Sequence, residues 1–194
     1  MALVEDNMIN PDNLKQEKLK VWAPYFGIVI IAIGLFLFRV QNTNLFVLLW
    51  LQLVAAFGYI AALHDWKTKK ISNNLILAMF AAWVITMMPK LFLDTNAAIH
   101  LLQDSLFGFL AGGGLFLLVY IVSRKGLGGG DVKFMAATGL YLGLNGTLSA
   151  MFYGILLAGI TVLLLLLMRK IGRKDAIPLA PFLYIGILLT VFFI

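Results

Sequence analysis

Apolar residues fall along this chain in blocks rather than at amphipathic spacing, and short polar segments separate the blocks. The first block covers residues 22–38, and a brief turn at 39–44 leads to a second over 45–63 that ends at His64 and Asp65. A polar loop at 66–74 precedes a third block over 75–93, with Pro89 and Lys90 near its far end. A turn is expected at 94–100 and a fourth block at 101–123. A glycine-rich stretch then opens a short run over 131–144, about 21 Å if helical. A turn at Asn145 and Gly146 is expected before a sixth block at 148–168, and a seventh occupies 177–194 after the basic loop 169–175. Blocks that approach or exceed about 18–20 apolar residues are long enough to cross a bilayer as helices. The predicted fold is an all-α, polytopic transmembrane bundle: seven spans if the short run crosses, six if it is re-entrant. Residues 1–21 read as a polar cytoplasmic arm or interfacial helix, without the apolar core and cleavage site of a secretory leader. Residues 22–194 read as one membrane domain.

Composition agrees with this picture. The chain is 62% hydrophobic and 12% charged over 194 residues, with a mean hydropathy of +0.97; soluble domains run nearer 45–50% and roughly 25%. The net charge of +6 raises a nucleic-acid partner as a question. The basic residues nevertheless sit in loops between apolar blocks, a membrane-topology pattern, so no nucleic-acid partner is expected. Without cysteine there are no disulfides, thiolate metal sites or cysteine nucleophiles, and His64 and His100 are too few for a histidine-rich metal site. With seven spans, Lys15, Lys18 and Lys20, then Lys67, Lys69 and Lys70, then Arg124, Lys125 and Lys133, and lastly Arg169, Lys170, Arg173 and Lys174 all share one side. The positive-inside rule makes that side cytoplasmic. Six spans would put the last cluster outside, so seven is preferred.

The candidate chemistry lies at that same end. Lys125 to Lys133 reads K-G-L-G-G-G-D-V-K, with Gly126, Gly128, Gly129 and Gly130 leading to Asp131. Glycines let neighbouring chain approach closely. An ionisable residue in an apolar segment points to function by default, although Asp131 also suits the N-cap of the following helix. Asp65 ends its block beside a lysine-rich loop, a setting that an interfacial ion pair would explain equally well. Its helical face continues through Ala62, Ala61 and Gly58, with Val54 and Ala55 a turn further on, small residues that admit another helix. Asp104 lies near the opposite end of its span, where a helix-start acid or a hydrogen bond to a neighbour accounts for it. The glycines Gly108 and Gly112 to Gly114 read first as helix packing. No P-loop follows the glycine cluster, and no strand precedes it for a dinucleotide fold. Ser72, Ser105, Ser123 and Ser149 have no base at triad spacing.

Gly128-Gly129-Gly130-Asp131 resembles the Gly-x-Gly-Asp signature of intramembrane aspartyl proteases. The longer G-L-G-G-G-D-V-K, followed by F-M-A-A-T-G-L-Y-L-G, is similar to the type IV prepilin peptidases. Asp65-Trp66-Lys67-Thr68-Lys69-Lys70-Ile71-Ser72-Asn73 resembles that family's first aspartate motif, with Ser72 in place of proline. The tail I177-P-L-A-P-F182 resembles a third family segment. The resemblance implies a membrane aspartic endopeptidase with Asp65 and Asp131 catalytic and Gly128 and Gly130 as loop glycines. It implies no metal or cofactor. The expected substrate is a prepilin or pseudopilin with a short basic leader followed by an apolar helix, cut at the cytoplasmic face of the cell membrane. The link at 39–44 is short and the cysteine-bearing insert of larger members is missing, so the likeness is to the short, peptidase-only form and gives no ground for expecting methyltransferase activity. Two carboxylates at close range share one proton rather than both ionising. The ionised member activates water, and the protonated member polarises the scissile carbonyl. A competing reading from another class makes Asp65 and Asp131 ion or proton sites of a transporter or assembly component.

Overall fold

The computed structural model of the chain describes residues 26–41, 43–123, 126–170, 172 and 177–193. The predicted N-terminal arm and the start of the first block lie outside these residues, as do Arg124, Lys125, Arg173 and Lys174 of the basic clusters. The described residues form helices and no strands: α1 (Phe26–Arg39), α2 (Leu45–Thr68), α3 (Asn73–Leu93), α4 (Thr95–Val122), α5 (Gly129–Leu167) and α6 (Ala180–Phe193). Among these, α2, α3, α4 and α5 are long and apolar enough to cross a membrane, and α1 and α6 are shorter apolar helices. Much of their outer surface is large apolar side chain, such as Phe92 at 85% exposed and Ile30 at 71%. In water such a surface would aggregate; against lipid it is the expected exterior. The chain is a membrane protein built as a helix bundle.

Helix ends depart from the expected boundaries for identifiable reasons. α2 continues past Asp65 to Thr68 and stops where Lys69 turns left-handed (φ 53°), its N–H closing on the Asp65 carbonyl at 2.7 Å. Ser72 caps α3, its hydroxyl accepting from Asn74 N at 3.3 Å, so the residue that stands in for proline starts the helix by hydrogen bonding. The turn expected at 94–100 is instead a helix start. Asp94 ends α3 and its carboxylate accepts from Ala97 N at 3.2 Å, which launches α4 at Thr95.

The largest correction concerns α5. The reversal expected at Asn145 and Gly146 occurs at Gly143, whose φ of 66° and ψ of −172° break the helix. That backbone region is essentially reserved for glycine. A straight helix of 39 residues would measure roughly 58 Å. Yet one groove of about 550 Å³ is lined both by Leu127, just before α5, and by Leu166 at its other end. The chain therefore doubles back at Gly143, and α5 is two antiparallel arms, 129–142 and 144–167. Asp104 of α4 makes this possible, because its Oδ1 accepts from Leu144 N at 3.0 Å and so caps the second arm from a neighbouring helix. A hydrogen bond to a neighbour is the role the sequence suggests for this residue. Thr147 Oγ1 adds a bond to the Gly143 carbonyl.

Glycines let α4 and α5 touch backbone to backbone. A Cβ at Gly108 would run into the Gly139 carbonyl, and one at Gly112 into the Met135 carbonyl. Such contact is the usual use of small residues where lipid supplies no hydrophobic drive between helices. The small face of α2 is likewise filled, but by α6: Tyr184 lies over Gly58, where a Cβ would sit 2.8 Å from its ring. Val54, Ala55 and Ala61 of α2 are buried as well. Polar bolts cross the core, with Tyr141 donating to the Met79 carbonyl at 2.6 Å and Trp50 Nε1 to Thr86 Oγ1 at 2.9 Å. Arg39 closes the end of α6, donating from Nε and Nη2 to the Val191 carbonyl at 3.1 and 2.8 Å.

Candidate active site

Asp65 and Asp131 come from distant parts of the chain and meet at one end of the bundle. Asp65 stands in the last full turn of α2 and is 5% exposed; Asp131 stands in the first turn of α5 and is 9% exposed. Both line a cavity of about 220 Å³ together with Lys69, Lys70, Ile71, Gly128, Gly129 and Gly130. That space holds several waters at roughly 30 Å³ each. Asp131 lies close enough to Asp65 to feel the charge of that carboxylate.

The two acids are held differently. Asp65 Oδ2 accepts from the backbone N–H of Ala180, the first residue of α6, at 3.0 Å across 115 residues of sequence. A helix N-terminus presents unpaired N–H groups and a partial positive charge, so it orients a carboxylate. Asp131 is the third residue of its helix; the cap position belongs to Gly128, whose carbonyl accepts from Asp131 N at 3.1 Å. Asp131 thus does not cap α5 as its sequence position also allowed. Its Oδ1 is buried and has no hydrogen-bond partner among the described residues. A buried carboxyl oxygen left unsatisfied, in a residue that lines a small cavity, is unusual for a purely structural residue.

Gly128, Gly129 and Gly130 differ in what a side chain would meet. A Cβ at Gly128 would sit 2.7 Å from Asp131 Oδ2, and a Cβ at Gly130 would press on Ile71 at 3.1 Å. Gly128 therefore leaves room for the carboxyl group, and Gly130 lets the α2–α3 loop close over the start of α5. Gly129 meets only the Tyr120 ring at 4.0 Å, in ordinary contact. The alternation of strict, tolerant and strict positions reproduces the Gly-x-Gly-Asp pattern from packing alone. Lys133 ties the same corner together by donating to Asn73 Oδ1 at 3.0 Å.

Sequence reasoning did not single out Ala180 as a partner of Asp65. The signal available was Pro178 and Pro181, which stiffen the approach to α6 and leave the intervening Ala180 amide as a donor. Among the described residues no group of three or more His, Cys, Asp or Glu side chains is placed to hold a metal ion. Asp104 lies with Gly143 at the opposite end of the α5 arm and takes no part in this cavity.

A prepilin leader peptidase/N-methyltransferase of Bacillus subtilis (strain 168) is 31% identical over 105 residues, a match covering 51% of this chain and 42% of that protein. The matched stretch is thus less than half the relative's length. No solved structure matches the chain. The model of the type IV leader peptidase family matches residues 53–163, more than half of the chain, a span that takes in Asp65, the glycine motif and Asp131. The chain belongs to the type IV leader peptidase family.

Proposed function

We propose that this protein is a membrane-embedded aspartic endopeptidase that removes the short basic leader of type IV prepilins or pseudopilins, with Asp65 and Asp131 activating water. The observation that carries the reading is the shared cavity: two buried carboxylates on separate helices, one oriented by the α6 N-terminus and one with a free buried oxygen. In a carboxylate dyad one proton is shared. The ionised member takes a proton from water as the water attacks the scissile carbonyl. The protonated member hydrogen-bonds the carbonyl oxygen, and a proton is then delivered to the departing amine nitrogen. The dyad titrates as a unit, so the two roles belong to the pair.

In this reading the two arms of α5 each cross the bilayer, seven helices alternate, and the dyad lies at the cytoplasmic face. Lys67, Lys69, Lys70, Lys133, Arg169 and Lys170 all follow or flank helix ends on the dyad side, which supports that orientation. A leader on the cytoplasmic side of an apolar helix would present its junction at this depth. The test is incubation of membranes containing the protein with several prepilin-like substrates, followed by mass analysis of the products. A single cut at the junction of leader and apolar helix is expected. Absence of any cleavage across several leaders would sink the reading and favour an ion- or proton-coupled transporter.

A further inference from the structure

The groove of about 550 Å³ that reaches from Leu127 to Leu166 has no part in the dyad chemistry. It lies between the last turns of α4 and the second arm of α5, and every residue lining it is apolar or glycine. Buried Phe116 and Ala158 form its floor. From Ile155 to Leu166 it follows the arm for about 16 Å, roughly three helical turns. Along this stretch stands Gly159, where an added Cβ would meet nothing within 4 Å. Glycine weakens a helix interior, and in membrane helices its use is the close approach of another helix. Gly108, Gly112 and Gly154 have that approach within the chain, and Gly159 does not. Gly34 is equally open but lines no groove of this kind.

The identity of the missing helix follows from where the groove begins. Its dyad end is bounded by Leu127 and Leu179. Leu127 precedes Gly128, which leaves room for the Asp131 carboxyl, and Leu179 precedes Ala180, whose N–H holds Asp65. The groove therefore starts beside the supports of both acids. A rival groove of about 440 Å³ lies between α3, α4 and the first arm of α5, with open Gly114 in its lining. It approaches the dyad only through Val132 and Lys133, on the Asp131 side, and Lys133 puts a cation in its lining. The substrate proposed above joins a basic leader directly to an apolar helix. A cation opposes that junction, whereas a groove without charge accepts it.

We propose that the groove between α4 and the second arm of α5 holds the apolar helix of the substrate, packed closely at Gly159, and so brings the bond at the start of that helix to Asp65 and Asp131. This rests on the peptidase reading and adds to it the place where the substrate lies. The contact is helix against helix and apolar throughout, so it selects for an apolar helix rather than for a particular side-chain sequence. A substrate stripped of its helix keeps only the contacts made at the dyad.

An added Cβ is free at both open glycines, so Gly159→Phe and Gly114→Phe each fill one groove. Cleavage of a purified prepilin-like substrate by the full-length protein in detergent micelles gives KM and kcat. Gly159→Phe is expected to raise KM about tenfold or more with kcat within about twofold of wild type, and Gly114→Phe to change neither. The chain has no cysteine, so Gly159→Cys can be joined by oxidation to single cysteines placed along the substrate helix. The Asp131→Asn background keeps that substrate uncut. Crosslinks are expected from Gly159→Cys at substrate positions three or four residues apart, and none from Gly114→Cys. These crosslinks decide the matter if Gly159→Phe fails to fold. An unchanged KM in a folded Gly159→Phe overturns the assignment, as do crosslinks from Gly114→Cys instead. Gly159→Cys that links only to a second copy of this chain, or to nothing because lipid fills the groove, overturns it too. A wild type that cuts no substrate removes the peptidase reading, and this proposal with it; a wild type that cuts while these outcomes fail removes the groove alone.

Discussion

Replacing Gly143 with alanine tests the reversal in α5 with the sign of the effect as well as its size. At φ 66° and ψ −172° a residue with a Cβ is strained by about 1–3 kcal/mol. The added Cβ would also run into the Asp104 carboxyl, whose displacement gives up the cap on Leu144 N, worth about 0.5–2 kcal/mol. Together these predict a destabilisation of about 1.5–5 kcal/mol, measured as a lowered midpoint of denaturant unfolding in detergent micelles by tryptophan fluorescence. The Asp104→Ala background separates the two contributions. There the cap and the collision are already gone, so Gly143→Ala should cost only the strain, and the two substitutions should be non-additive. Were α5 one continuous helix, alanine at this position would stabilise it by about 1 kcal/mol. A raised unfolding midpoint for Gly143→Ala would refute the doubling-back of the chain, and with it the return of residues 144–167 to the dyad end.

Three further outcomes follow from the site and the core. Ala180→Pro removes the N–H that orients Asp65 at a helix position where proline is tolerated. Losing such a charge-assisted bond, about 1.5–3 kcal/mol, predicts a roughly 10–100-fold fall in cleavage rate with an unfolding midpoint close to wild type; an unchanged rate would show that the bond is irrelevant to turnover. Gly128→Ala should lose most activity because its Cβ would crowd Asp131 Oδ2, whereas Gly129→Ala should keep it, as rates at matched expression will show. Equal effects at the two positions would contradict the packing account of the motif. Tyr141→Phe deletes the 2.6 Å bond to the Met79 carbonyl and should cost about 0.5–1.5 kcal/mol of stability, read from the same unfolding curves.

Much of this architecture was legible in the sequence because bilayers impose length and composition on helices directly. The blocks at residues 45–63 and 75–93 lie within α2 and α3, the block at 148–168 ends one residue past α5, and the link at 39–44 runs from the last residue of α1 to the start of α2. Asp65 and Asp131 were both visible as carboxylates without an obvious place in apolar segments, and the structure brings them into one cavity. The features that escaped depend on contacts between segments. Asn145 and Gly146 look like a turn in isolation, but Gly143 turns instead because Asp104, 39 positions earlier, supplies the cap. The small face of α2 correctly signalled a close neighbour, but only the fold shows that the neighbour is α6, with Tyr184 on Gly58. The amide of Ala180 was invisible for the same reason, since a backbone N–H leaves no mark in sequence beyond the prolines around it.

The most direct test of the two-aspartate mechanism compares cleavage rates of the wild type, Asp65→Asn, Asp131→Asn and the double variant in membranes, at matched expression and on one prepilin-like substrate. Residues that act as a unit are grossly non-additive. The account predicts that each single substitution lowers the rate by roughly a thousandfold or more and that the double variant is no worse than either single one. If either single variant cuts within about tenfold of wild type, or if the two losses multiply as independent effects do, Asp65 and Asp131 are not a catalytic pair.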